Sequence, residues 1–266
     1  MNRIDHIVIN TRDRIDQTVA YFKRMGFFVT PRGYHSVGTI NHTIVFTTDY
    51  LELLGYPPDK PPPSRPELVQ APMGLMGTVL KTDDAEQVRA TLVAHGLAPR
   101  PTSALSRPID LGNGKTTDVQ FRVAYLEPNA IPGTHLYYCQ HITPELVWQP
   151  AWQIHTNGCI AMTRLSINVS DRKTAAEIYV RAMGTAKFEE TEPNSCIIRL
   201  SNFEITLINE HDKPLGMFKL VFGTDSLEKV TAALTRGGIT YHKEGERIFA
   251  DTLIHIGCAL EFECVI

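Results

Sequence analysis

The 266-residue chain has no Lys/Arg block, and its 26 basic residues against 29 acidic ones leave a formal charge of -3. Nucleic acid and anionic membrane are gripped by clustered positive charge, so neither is expected as a partner. Paired cysteines are also missing. The five present, at 139, 159, 196, 258 and 264, are odd in number and contain no CxxC, which removes a disulfide framework and a thiolate zinc site and fits a reducing cytoplasm. No apolar run reaches the length of a membrane span. The N-terminus enters a charged, strand-like segment rather than a basic stretch followed by an apolar one, so a cytoplasmic protein without a targeting signal is expected. What remains is a globular composition, 43 % apolar and 21 % charged, over a length that suits one large or two ordinary domains. Small molecules or proteins are the partners such a chain would meet.

The most informative stretch is the first one, Ile4-Asp5-His6-Ile7-Val8-Ile9-Asn10, taken with Tyr50-Leu51-Glu52-Leu53-Leu54. Side chains alternate along a strand, so His6, Val8 and Asn10 share one face while Ile7 and Ile9 share the other, which a helix can cover. Leu51 and Leu53 repeat the pattern. Glu52 then points away from them, where a carboxylate needs water, a donor or a cation. One imidazole and one carboxylate on the concave faces of two strands are the beginning of a metal site.

Between these strands, Asp13 is a candidate cap for a helix with apolar residues Ile15, Val19, Phe22 and Met25, and Gly26 is its stop. Extended runs follow at Phe27 to Thr30, His42 to Thr47 and Tyr50 to Leu54, with a turn around Pro31-Arg32-Gly33. The order is strand, helix, three strands. Prolines at 57, 58, 61, 62, 63, 66 and 72 mark an extended linker over 57–72. The pattern then restarts at Leu75, at Met162 and at Phe218, with Asp83 or Asp84, Asp171 and Asp225 as caps and Gly96, Gly184 and Gly237-Gly238 as stops. Four copies of one unit fill the chain. A unit this short cannot easily bury its sheet alone, so neighbours are expected to pair. The expected domains are 1–142 (units 1–56 and 73–142) and 160–266 (units 160–211 and 215–266). Between them lies a connector, 143–159, broken by Pro144, Trp148, Pro150 and Trp152.

The repeated unit, with His near the start of its first strand and Glu in its last, resembles the vicinal oxygen chelate superfamily of glyoxalase I, extradiol dioxygenases and fosfomycin resistance proteins. Asp5-His6-Ile7-Val8, His35-Ser36-Val37-Gly38-Thr39-Ile40-Asn41, Tyr50-Leu51-Glu52 and His155-Thr156-Asn157-Gly158 look like its glyoxalase-like branch. The resemblance implies an α+β fold, four βαβββ units paired into two incomplete barrels, with a divalent metal (Zn, Ni, Mn or Fe) in a small-molecule cavity. Carried over by position, His6 and Glu52 match ligands, whereas Met76 or Gly77 stands where the second unit would supply one. In the last strand of that unit His135, Tyr137, Cys139 and His141 share a face. His135 is favoured as third ligand, because imidazole binds without the prior deprotonation that phenol and thiol require. The second pair has Arg164 and Phe218 at the histidine positions, so Glu204 and Glu261 find no imidazole there.

His35, in a Gly-bounded loop, reads either as a solvated turn residue or as an acid/base group beside Glu52. Asn41, Phe46, Tyr50, Tyr137, His141 and His155 are the candidate substrate contacts, although Asn157-Gly158 also makes His155 a turn residue. Gly112-Asn113-Gly114 reads as a hairpin turn, since no helix follows it to make a phosphate loop. Two functions follow: a metal-dependent lyase/isomerase or dioxygenase, and a non-catalytic small-molecule binding protein of the same fold. Edge strands that need covering would allow a homodimer.

Overall fold

In a computed structural model, which describes residues 3–35, 37–110, 116–184, 187–191 and 194–265, the chain folds into two eight-stranded sheets. The Gly112-Asn113-Gly114 turn lies outside the described residues. The first unit comprises β1 (Ile4–Arg12), α1 (Ile15–Arg24), β2 (Gly33–Tyr34), β3 (Ile40–Val45) and β4 (Tyr50–Gly55). A short helix, α2 (Pro66–Val69), precedes the second, which is β5 (Gly74–Lys81), α3 (Ala85–Ala94), β6 (Ser103–Asp110), β7 (Thr116–Tyr125) and β8 (His135–His141). The third is β9 (Cys159–Asn168), α4 (Arg172–Met183), β10 (Phe188–Glu190), β11 (Ser195–Arg199) and β12 (Glu204–Ile208). The fourth is β13 (Gly216–Thr224), α5 (Leu227–Arg236), β14 (Tyr241–Glu244), β15 (Arg247–Ala250), α6 (Leu253–Ile256) and β16 (Ala259–Cys264).

The first sheet runs β2-β3-β4-β1-β5-β8-β7-β6 and the second β10-β11-β12-β9-β13-β16-β15-β14, the same order twice. Within each unit the first strand lies parallel to the last, and two units join where first strands meet antiparallel, β1 on β5 and β9 on β13. The four βαβββ units thus pair into two incomplete barrels. Ile7 and Ile9 of β1 are fully buried against Phe22 and Ile15 of α1, as their alternation requires. Gly26, Gly96 and Gly184 stop their helices with positive φ, where a side chain would be strained. Asp84 and Asp171 accept hydrogen bonds from backbone N–H groups in the first turns of α3 and α4. Asp13 does not cap α1, which starts from Arg14 with no side-chain cap, and Ser226 rather than Asp225 caps α5.

Phe27 to Thr30 is extended but joins no strand. It is held by Thr43 and His155, and Phe27 packs against Phe222 of the second barrel with ring centroids 5.0 Å apart. One apolar core runs through both barrels, from Ile7 and Phe46 to Leu165 and Phe262. Among the described residues no helix is long and apolar enough to cross a membrane.

Candidate active site

The concave face of the first sheet encloses a cavity of about 370 Å³, and the strand pairing explains how its polar end is built. Between Ile4 and His6 the register of β1 on β5 slips, so Asp5 is an extra residue in a bulge. Strict alternation would send Asp5 to the face opposite His6. The bulge instead brings its carboxylate to His6 Nδ1, at 2.7 Å, and to His141 Nε2, at 2.9 Å. Burial alone would push the Asp5 carboxyl up, but the two imidazoles outweigh it and hold the group well below the ordinary carboxylate range. As Asp5 can only accept, a neutral His6 carries its proton on Nδ1 and turns the Nε2 lone pair outward. Tyr50, directly opposite His6 on β4, stacks on the ring at 4.4 Å and fixes its plane.

Glu52 lies two residues further along β4, opposite Val8, and its Oε2 stands 3.8 Å from His6 Nε2. Asn41 on β3 donates to the other oxygen, Oε1, at 2.6 Å. The imidazole and the carboxylate therefore converge on one end of the cavity. Tyr137 completes this end, its hydroxyl 3.2 Å from His6 Nε2, where the tautomer makes the phenol the donor. Burial raises its pKa well above the usual phenol value, so the hydroxyl keeps its proton. His35 and His135 also line the cavity. His35 shares a hydrogen bond with Thr39 at 2.7 Å, and burial lowers its pKa against the opposing pull of Glu52. His135 is lowered by burial too, and the charges acting on it belong to Glu67, Arg65 and Arg100.

The structure brings Tyr137, not His135, to His6, and the register shows why. Aligning α3 on α1 carries His6 onto Met76 or Gly77, and it is Gly77 that stands opposite His135 as His6 stands opposite Tyr50. His135 then answers to Tyr50, and Tyr137 to Glu52.

A sequence model described as a glyoxalase-like domain matches residues 4–183, which is more than half of the chain. The chain belongs to the glyoxalase-like domain family. Among solved structures it is similar to a hypothetical protein from Staphylococcus aureus, at 13 % identity and TM-score 0.74, with each chain fully covered. It is also similar to a mutant of 4-hydroxymandelate synthase from Streptomyces coelicolor, at 12 % identity and TM-score 0.64, over 99 % of this chain and 92 % of that one. A xylose isomerase-like TIM barrel/4-hydroxyphenylpyruvate dioxygenase fusion protein matches at 12 % identity and TM-score 0.63, over 98 % of this chain and 48 % of the other. Identities this low establish the shared fold alone. No curated protein matches the chain.

A divalent metal in a glyoxalase-like barrel needs ligand atoms that meet, and two do here. His6 Nε2 and Glu52 Oε2, 3.8 Å apart, are close enough that both would hold one divalent ion, and Asp5 behind His6 would be the outer carboxylate that orients a ligating imidazole. The residues fit the group. Asp5, Cys139 and His141 place three further potential ligand atoms within 4.8 Å of one another, Cys139 on the cavity wall and the other two behind it. There the Asp5 carboxylate already accepts from two histidines, and burial raises the Cys139 thiol far above the range in which thiolate forms.

Three expected substrate contacts lie off the cavity wall. Phe46 is fully buried in the core between the barrels. His155 accepts from the Phe28 N–H at Nδ1 and donates from Nε2 to the Val45 carbonyl, both at 3.0 Å, so its ring is a structural bridge. His141 sits behind Asp5, its ring 4.7 Å from Trp148. Sequence reasoning missed Asp5, whose face depends on the bulge, and Arg107, which lies on a strand the pattern did not reveal. In the second barrel Glu204 is paired with Arg164 and Arg199, and Glu261 with Lys219 and Arg247, so both carboxylates are met by cationic side chains.

Proposed function

We propose that the first barrel is the active site of a divalent-metal-dependent enzyme acting on a small molecule, of lyase/isomerase or dioxygenase type. The observation carrying this is the approach of His6 Nε2 and Glu52 Oε2 to 3.8 Å at the end of a cavity of about 370 Å³. His6 and Glu52 would hold the ion, Zn, Ni, Mn or Fe, with His135 further along the same wall. Bound there, it would supply Lewis acidity to neighbouring substrate oxygens or, as iron, a site for dioxygen. The chain's own residues have separable tasks. Asp5 keeps the His6 proton on Nδ1, and Asn41 grips one oxygen of Glu52 and leaves the other for the reaction. Tyr137 offers a hydroxyl proton to a substrate oxygen, and His35, kept neutral by burial, is a proton acceptor on the same wall. The names 4-hydroxymandelate synthase and 4-hydroxyphenylpyruvate dioxygenase among the structural neighbours are consistent with keeping oxygenation beside isomerisation, as the resemblance of the sequence already did.

The second barrel, 160–266, serves on this reading as a packing partner for domain 1–142 across the connector 143–159. Five cysteines without a disulfide support a cytoplasmic protein, and the open edges of the sheets support a homodimer. Metal content of untagged protein, purified without added metal, tests the proposal. Near-stoichiometric metal is expected in the wild type and its loss in His6→Ala and Glu52→Gln, with Asp5→Asn weakening affinity roughly 10- to 100-fold. A metal-free wild type, unchanged by these substitutions, would defeat it. The second reading, a binding protein without turnover, is favoured by Gly77 at the position answering to His6. Tight binding of a ligand recovered unaltered would establish it.

A further inference from the structure

Three arginines line the cavity, and two of them are already spent. Arg65 is paired with Glu67 at 2.8 Å and Arg100 with Glu127 at 3.1 Å. Arg107 has neither a hydrogen bond nor an ion pair among the described residues, yet it is only 7 % exposed. It projects from β6 toward β2, where a Cβ on Gly33 would stand 3.1 Å from both its Cδ and its Nη1. A Cβ there would collide first with Asn41 Oδ1, so the bare backbone at Gly33 leaves room for Asn41 and Arg107 together. Glu52 is the carboxylate that acts on Arg107, but Glu52 is turned to Asn41 and His6.

A guanidinium cannot shed its proton, and largely buried on a cavity wall without a side-chain acceptor it keeps donors that only a molecule in the cavity can satisfy. Such an arrangement is accounted for if the missing anion arrives with the ligand. The planar fork of Arg matches a carboxylate with two parallel N–H donors. Glu67 and Glu127 are neutralised by Arg65 and Arg100, so the one unspent cation balances one negative charge, and Glu52 on the same wall would oppose a second. Val8, Leu54, Phe121 and Val123 supply an apolar surface for the remainder of the ligand.

Resting on the reading of this cavity as the substrate site, we propose that Arg107 binds a substrate carboxylate, so that the first barrel takes small monocarboxylic acids with an apolar body. The acid group is held at β6 and the reacting end faces His6 and Glu52.

The test is calorimetric titration of the full-length protein with phenylacetate and with its neutral isostere phenylacetamide, for wild type and Arg107→Met, before and after chelator treatment. Wild type is expected to bind the acid at least tenfold more tightly than the amide, with or without metal. Arg107→Met loses that preference and keeps the wild-type metal content. Equal binding of acid and amide by the wild type, or an unchanged preference in Arg107→Met, would each overturn the assignment. A wild type that prefers the acid but holds no metal would defeat the metal reading alone. One that holds metal without the preference would defeat this assignment alone.

Discussion

Asp5 shows what one residue can do when strand geometry is broken at a single point. A carboxylate between His6 and His141, at 2.7 and 2.9 Å, fixes one imidazole against the cavity and ties it to the next strand but one. The alternation that revealed His6 and Glu52 hid Asp5, because a bulge is a property of two paired strands and leaves no mark in either alone. A second buried acid, Asp49, sits between β3 and β4 and accepts from the Met162 N–H of the second barrel at 3.1 Å and from Thr48 at 3.0 Å. Burial raises its pKa to about 7, with Met162 and Thr48 opposing. The folded protein therefore holds a proton between about pH 4 and 7 that the unfolded chain has released, and this stabilising contribution is lost as pH rises through that window. Asp49→Asn removes the effect. The stability of the variant minus that of the wild type is expected to climb with pH by at most about 1.4 kcal/mol per unit and to level off above pH 7. Urea titrations across this range measure it, and a flat difference would refute the buried proton.

At the scale of elements, legibility follows position in the sheet. The interior strands β1, β4, β5, β8, β9 and β13 were readable as apolar runs, because both of their faces are covered. Those that escaped, β2, β6, β10 and β14, are the four ends of the two sheets. An edge strand has no ladder partner on its open side, so Pro108 can sit in β6 without forfeiting a hydrogen bond there, and the buried Arg107 beside it breaks the apolar run. The same strand carries the unpaired guanidinium, which is why the feature most informative about the ligand was the one the sequence concealed. Helix starts were readable to a similar degree. Asp84 accepts from the Glu86 and Gln87 N–H groups at 3.0 Å, while α1 has no side-chain cap and Asp13 is spare. Asp84→Ala is expected to cost about 1 kcal/mol and Asp13→Ala less than about 0.5 kcal/mol. Equal losses in denaturant titrations would mean that the capping assignment is wrong.

At the scale of the molecule, the two barrels share an interior, so they should not melt apart. Phe27 and Phe46 from the first barrel meet Phe222 from the second at 5.0 and 5.8 Å, and Phe262 adds a further ring 5.6 Å from Phe222. Backbone and side-chain bridges cross the same plane: Tyr138 donates to the Ala182 carbonyl at 2.9 Å, and Tyr179 to the Pro132 carbonyl at 2.9 Å. Loss of either barrel would expose this aromatic cluster and leave those carbonyls without donors, which makes partial unfolding costly on both sides. The tryptophans give the means to see it. Trp148 packs against Tyr50 and His141 of the first barrel, so tryptophan fluorescence reports there, whereas far-ultraviolet circular dichroism reports on both sheets. Phe222→Ala, a change confined to the second barrel, is expected to cost about 3–5 kcal/mol. Its effect should move the fluorescence and dichroism midpoints together. A fluorescence midpoint that stayed at its wild-type value while the dichroism midpoint fell would show two independent units, and the first barrel would then owe nothing to its neighbour.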